Sequence, residues 1–160
     1  MTTKEQTYEA TLSRINALLE GPTDWIAAMA TVSCELHHAF DAFHWTGFYR
    51  TIRENHLQVG PYQGGHGCID ISYDRGVCGA AARTKTTQLV ADVNLFPGHI
   101  ACSSSTISEI VVPVLTPQGK VIAVLDVDSD WADSFDAIDQ HYLELLCAQL
   151  GERYQHEVTY

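Results

Sequence analysis

Three of the five cysteines fall within 35 residues, at positions 68, 78 and 102. Each is flanked by glycine, histidine or small polar residues rather than by an apolar stripe. Cys68 follows a glycine-rich loop, Gln63-Gly64-Gly65-His66-Gly67. Cys78 stands in Gly76-Val77-Cys78-Gly79, which reads as a helix N-terminus, where the helix dipole favours a thiolate. Cys102 lies in a stretch without clean period, 91–108, with His99 before it and Ser103–Ser105 after it. A loop of that length inside a compact domain is uncommon and is usually functional. A transient disulfide needs two sulfurs that can meet and then separate, so a loop cysteine beside a flexible glycine segment suits redox chemistry. The competing reading makes each cysteine a small buried hydrophobe, because free Cys is among the most buried residue types. Cys34 and Cys147, each inside a helical pattern, take that reading.

His66-x-Cys68 and His99-x-x-Cys102 could together offer two nitrogens and two sulfurs to zinc. Zinc pairs ordinarily use C-x-x-C or H-x(3–5)-H spacing on a rigid knuckle. Here one arm is glycine-rich and the other a long loop, so neither a metal nor another cofactor is expected.

Acidic residues form a second constellation. Val124-Leu125-Asp126-Val127-Asp128 ends a strand, and alternation puts Asp126 and Asp128 on one face. Glu109 opens the preceding strand, and hairpin pairing sets that start against the end of the next. Carboxylates on an apolar strand are costly unless they face a pocket or water. Converging in a pocket, they could bind an ammonium group. Crowding would also raise a carboxyl pKa and make one a proton donor near neutral pH. A third element is Trp45-Thr46-Gly47-Phe48-Tyr49, in which Trp45 and Tyr49 share a strand face and could wall a pocket for an S-methyl group. Solvated sheet ends and ordinary core are the plain alternatives for these two groups.

The elements that must position these residues follow from periodicity. Residues 4–20 read as an amphipathic helix with Tyr8, Leu12, Ile15 and Leu19 on one face, ended by Gly21-Pro22. Thr23 or Asp24 caps a second helix to about residue 40. Trp45–Ile52 and Leu57–Tyr62 form a hairpin across Glu54-Asn55. Cys68–Ser72 and Thr87–Val90 read as short strands on either side of a short helix, Gly76–Thr84. Glu109–Leu115 and Val121–Ser129 are joined by the turn Thr116-Pro117-Gln118-Gly119. A last helix runs over about 136–154, with Ile138, Tyr142, Leu145, Leu146 and Leu150 inward. Tight turns between neighbouring strands make an antiparallel sheet, so the class is α+β with helices on a face.

Composition bounds the function. The 160 residues have the length of one ordinary domain, and 46% are hydrophobic, enough for a core without disulfides or metal. The net charge of −11, from 20 acidic and 9 basic residues, opposes nucleic-acid and anionic-membrane binding. The N-terminus has no apolar signal region and no apolar run could span a bilayer, so a cytoplasmic location is expected.

Taken together, WTGFY at 45–49, GPYQG at 60–64, GVCG at 76–79, DVNLFPGHIAC at 92–102, SEIVVPV at 108–114 and VLDVDS at 124–129 resemble the free methionine-(R)-sulfoxide reductases, a stand-alone GAF-domain family. The resemblance implies a single GAF domain over 1–160, with N-terminal helices in 4–40, sheet and active-site loops in 41–130, and a C-terminal helix in 136–154. It implies a mostly antiparallel sheet of about six strands. It makes Cys102 the catalytic cysteine, Cys68 the resolving cysteine and Cys78 a third motif cysteine. Trp45 and Tyr49 become substrate-pocket aromatics, and Glu109, Asp126 and Asp128 acidic substrate-binding residues. The implied activity is reduction of free L-methionine-(R)-S-oxide through a sulfenic acid and an intramolecular disulfide, recycled by thioredoxin, with a homodimer consistent with the family. The alternative is a GAF-type module that senses a small ligand or redox state without turnover.

Overall fold

The computed structural model describes residues 1–157. Six strands form one antiparallel sheet in the spatial order β3-β2-β1-β6-β5-β4, with β1 Trp45–Arg53, β2 His56–Gln63, β3 Asp70–Ser72, β4 Gln88–Val90, β5 Ser108–Leu115 and β6 Val121–Ser129. The α+β class and the two hairpins expected from alternation and turn chemistry are present. The strand expected over Cys68–Ser72 is shorter and leaves Cys68 in the loop before β3.

Three helices cover one face: α1 Lys4–Leu18, α2 Trp25–Ala39 and α4 Ala137–Arg153 (α3, Gly76–Thr84, lies opposite). Each begins at a residue that satisfies orphan amides. Thr3 and Asp136 make capping boxes, and the Asp24 carboxylate accepts from the Ala27 amide. Their apolar stripes meet the even residues of β5 (Ile110, Val112, Val114) and Leu125 and Val127 of β6 in a continuous core. Leu145 departs from the expected inward set: it is 47% exposed, whereas Leu143 and Cys147 are buried. Leucines cluster at 143, 145, 146 and 150, so periodicity alone does not choose the inward stripe.

On the other face, α3 (Gly76–Thr84) and the loops before β3 and β5 cover a smaller core built from Trp45, Tyr49, Leu57, Ile71, Val77, Cys78, Val111 and Val124. Gly79 lets α3 approach closely, since a Cβ there would lie 2.7 Å from the Ser72 carbonyl oxygen. No helix among the described residues is long and apolar enough to cross a membrane.

Candidate active site

Sheet register assembles the site. On the face covered by α3, Trp45 of β1 stands opposite Asp128 of β6, which stands opposite Glu109 of β5. The next row holds Gly47, Asp126 and Val111. The expected convergence of Glu109, Asp126 and Asp128 is therefore a direct product of pairing. Trp45 stacks on Tyr49 at 5.7 Å between ring centroids and on Tyr62 at 5.1 Å. Gly47 is needed for this, because a Cβ there would overlap Tyr62 and come within 2.9 Å of the Trp45 ring.

The glycine-rich loop lies on that aromatic wall. The Trp45 indole Nε1 donates to the Gly65 carbonyl at 2.9 Å. A Cβ on Gly67 would meet the Tyr49 hydroxyl at 2.8 Å and the Trp45 ring at 3.1 Å. The cysteine loop is tied to α3, with the Gly76 amide donating to the Gly98 carbonyl at 3.0 Å. Between these loops Cys68 and Cys102 are joined by a disulfide, with Cα atoms 5.1 Å apart.

A narrow, partly open cleft adjoins the disulfide at Cys102. Cys102, Cys78, Trp45, Tyr49, Glu109, Asp126 and Asp128 all line it. Cys68 reaches it only through its bond to Cys102. Sequence reasoning missed Arg75, Ile71 and Thr106 in the lining. These residues carry no local signal, because only the fold brings α3 and the two loops together. His66 and His99 also line the cleft, but the two sulfurs that would complete a zinc set with them are bonded to each other.

The electrostatics are set by burial. Desolvation pushes Glu109 well above the usual carboxylate range, and Asp126 and Asp128 push it further. Asp128 is raised for the same reason, with Asp126 and Asp130 adding to it. Asp126 is raised less, to about 6, because the Glu109 carboxyl and the Cys78 thiol donate towards it. The trio thus offers protonated carboxyls near neutral pH beside a mostly ionised Asp126. The Asp126 Oδ1 is buried with no hydrogen-bond partner among the described residues. It is a buried acceptor without a partner, on a residue that lines the cleft.

Cys78 corrects one expectation. It does sit in the first turn of α3, yet burial raises its thiol well above its ordinary range, and Asp126, Glu109 and Asp128 raise it again. A helix dipole acts as about half a charge, and it is outweighed here by desolvation and three acids. Cys78 is a neutral thiol whose Sγ lies 4.0 Å from Glu109 Oε1. Cys78, Glu109 and Asp126 place donor atoms within 4.8 Å of one another, a spacing that could also hold a metal ion. Their raised pKa values would make protons compete with it.

Residues 9–152 match the model of the GAF domain family. The chain is 50% identical over 140 residues to GAF domain-containing protein A of Dictyostelium discoideum, covering 88% of this chain and 87% of that protein. It is 42% identical over 155 residues to the free methionine-R-sulfoxide reductase of Saccharomyces cerevisiae, covering 93% and 86%. Among solved structures, the free methionine-R-sulfoxide reductase from Neisseria meningitidis in complex with its substrate superposes with a TM-score of 0.90 at 40% identity, covering 97% of this chain and 92% of that one. A GAF fold with a disulfide over an acid-lined aromatic cleft, matched over nearly its whole length by such relatives, places this chain in the family of free methionine-R-sulfoxide reductases.

Proposed function

We propose that the chain reduces free L-methionine-(R)-S-oxide to methionine, with Cys102 as nucleophile and Cys68 as resolving thiol. The observation that carries this reading is the Cys68–Cys102 disulfide, whose Cys102 half lines the cleft shared by the aromatic wall and the acid trio. The disulfide-bonded form is the oxidised half of a redox cycle. In the reduced form Cys102 attacks the sulfoxide sulfur while Glu109 or Asp128 protonates the sulfoxide oxygen. Methionine leaves and Cys102 becomes a sulfenic acid. Cys68 then displaces water from that sulfur and forms the disulfide. Two thiols and one sulfoxide thus give one disulfide, one thioether and one water.

Trp45 and Tyr49 wall the methyl group through sulfur–aromatic contact. Asp126, the carboxyl closest to ionised, faces the substrate ammonium. Cys78 stays a thiol and donates into the acid trio. A thioredoxin-like dithiol resets the disulfide, which fits a cytoplasmic reducing compartment. Pairing into a homodimer belongs to the same proposal and is read by light scattering.

The test supplies reduced protein with each epimer of free methionine sulfoxide and a dithiol, and measures methionine. Methionine from the R epimer, absent with C102S, is the expected result. No methionine above the C102S control would leave a redox-sensing module without turnover. Thioredoxin with its reductase in place of the small dithiol tests the physiological reductant.

A further inference from the structure

A free amino acid presents its α-carboxylate together with its ammonium, and the ionised Asp126 that attracts the ammonium repels that carboxylate. One lining residue answers it. Arg75 is the only lysine or arginine among the residues that line the cleft. It forms no ion pair or side-chain hydrogen bond among the described residues. Its backbone is held, with the Arg75 amide donating to the Ser72 carbonyl at 3.1 Å and the next amide, Gly76, to the Gly98 carbonyl at 3.0 Å. It occupies the N-cap position of α3 without making a side-chain cap. Among the described residues its guanidinium therefore has no ion-pairing or hydrogen-bonding role in the local fold.

We propose that Arg75 is the specificity-determining residue that pairs with the α-carboxylate of the substrate and thereby selects the free amino acid over a peptide-bound methionine sulfoxide. The proposal rests on the reductase reading above. A guanidinium is charged at every working pH, and its planar fork matches a carboxylate with two parallel hydrogen bonds. The field at the start of α3 favours a negative group in the same place. The ammonium is drawn to Asp126 and the carboxylate to Arg75, so both ends of the zwitterion are matched. In a peptide, the amide carbonyl that replaces the carboxylate offers the guanidinium no charge.

The test compares free L-methionine-(R)-S-oxide with its carboxamide, which keeps the ammonium and loses the negative charge. Wild-type protein, R75M and R75K are assayed in the reduced form. Wild type is expected to favour the acid over the amide by about 10- to 100-fold in kcat/KM, the range of one charge-assisted pair. R75M is expected to raise KM for the acid by a similar factor with kcat changed less than about threefold. It should lose little on the amide, so the preference collapses, and R75K should recover part of it. An unchanged acid-to-amide ratio in R75M, or equal loss on both substrates, overturns the assignment. If wild type turns over neither substrate, the reductase reading itself fails, and Arg75 is not the cause.

Discussion

Two buried aspartates on opposite sides of the sheet have opposite surroundings. Asp139, on the three-helix side, is 1% exposed and fully partnered: it accepts from the Tyr8 hydroxyl at 2.6 Å, the Lys4 ammonium at 2.7 Å and the Asp136 amide at 2.8 Å. Asp126, on the α3 side, is 4% exposed; its titratable neighbours are two more carboxyls, a thiol and the Tyr49 phenol, and one of its oxygens has no partner among the described residues. The first carboxylate holds α1 to α4. The second is left incompletely matched, at a cost in stability, where a cationic substrate group can complete it. Trp25 Nε1 and Arg50 Nε are also buried without a partner among the described residues, but of these three groups only Asp126 lines the cleft, as a perturbed group at a functional site would.

Replacing Glu109 by glutamine should produce the largest effect and should act in two directions. Losing a proton donor is expected to lower kcat/KM by about 10²- to 10⁴-fold. Stability should move the other way at high pH. Glu109 is raised in the folded protein, so the native state keeps its proton over a range in which the unfolded chain, near pH 4.3, has lost it. The native state binds more protons there, and stability falls as pH rises towards the native value. Glutamine removes that loss. Thermal melts should therefore show E109Q above wild type at pH 8 and level with it near pH 4. A lower melting point at pH 8 would mean that Glu109 is matched in the way Asp139 is.

Asp139→Ala probes the other half of the comparison. It strips partners from Tyr8, Lys4 and the α4 cap at once. A loss of about 2–4 kcal/mol follows from one buried hydrogen bond, one half-buried ion pair and one cap. Melting should fall by roughly 5–15 °C. KM and kcat of the reduced protein, assayed well below the transition, should stay within about twofold. Kinetic damage on the scale of E109Q would show that the helical side is not merely a scaffold.

A smaller effect should appear in the pH profile. Asp126 titrates at about 6, so KM should rise as pH falls through that value and the ammonium loses its partner. On the alkaline side, kcat should fall as Glu109 and Asp128 give up the protons they donate. Initial rates between pH 5 and 9 read both limbs. An acidic limb carried by kcat rather than KM would reassign Asp126 from binding to proton transfer.

The acid trio was legible in the sequence because strand parity is local: Asp126 and Asp128 are two apart, and the Thr116–Gly119 turn sets β5 against β6. The Asp24 cap of α2 and the Trp45–Tyr49 wall were legible because they too depend on neighbours in the chain, whereas the capping boxes at Thr3 and Asp136 went unnamed. What escaped depends on packing between segments distant in the chain. Nothing near Cys78 announces that Glu109, 31 residues away, will lie beside its thiol, so the helix-dipole argument gave the wrong charge state. Arg75 stands between Asp74 and a glycine in an ordinary polar turn, and becomes notable only once it lines the cleft. The pairing of Cys68 with Cys102 came from family resemblance, since spacing alone left several partners open.

The two buried free thiols give the finest test. Cys147 is packed in the apolar core of the helical side, and burial, with Glu144 adding to it, raises its pKa. Cys78 is buried against the acids on the other side. C147A should cost about 1 kcal/mol for the space it opens and leave the pH profile untouched. C78A should cost a similar amount and also change the chemistry. The Cys78 thiol helps to hold Asp126 down, so without it Asp126 should titrate higher and the KM limb should move to higher pH. Loss in kcat/KM of about tenfold is expected near neutrality, as the ionised fraction of Asp126 available to the ammonium falls. If both variants keep the same limb, the Cys78 thiol is packing alone, and its place beside Glu109 has no part in the proton chemistry.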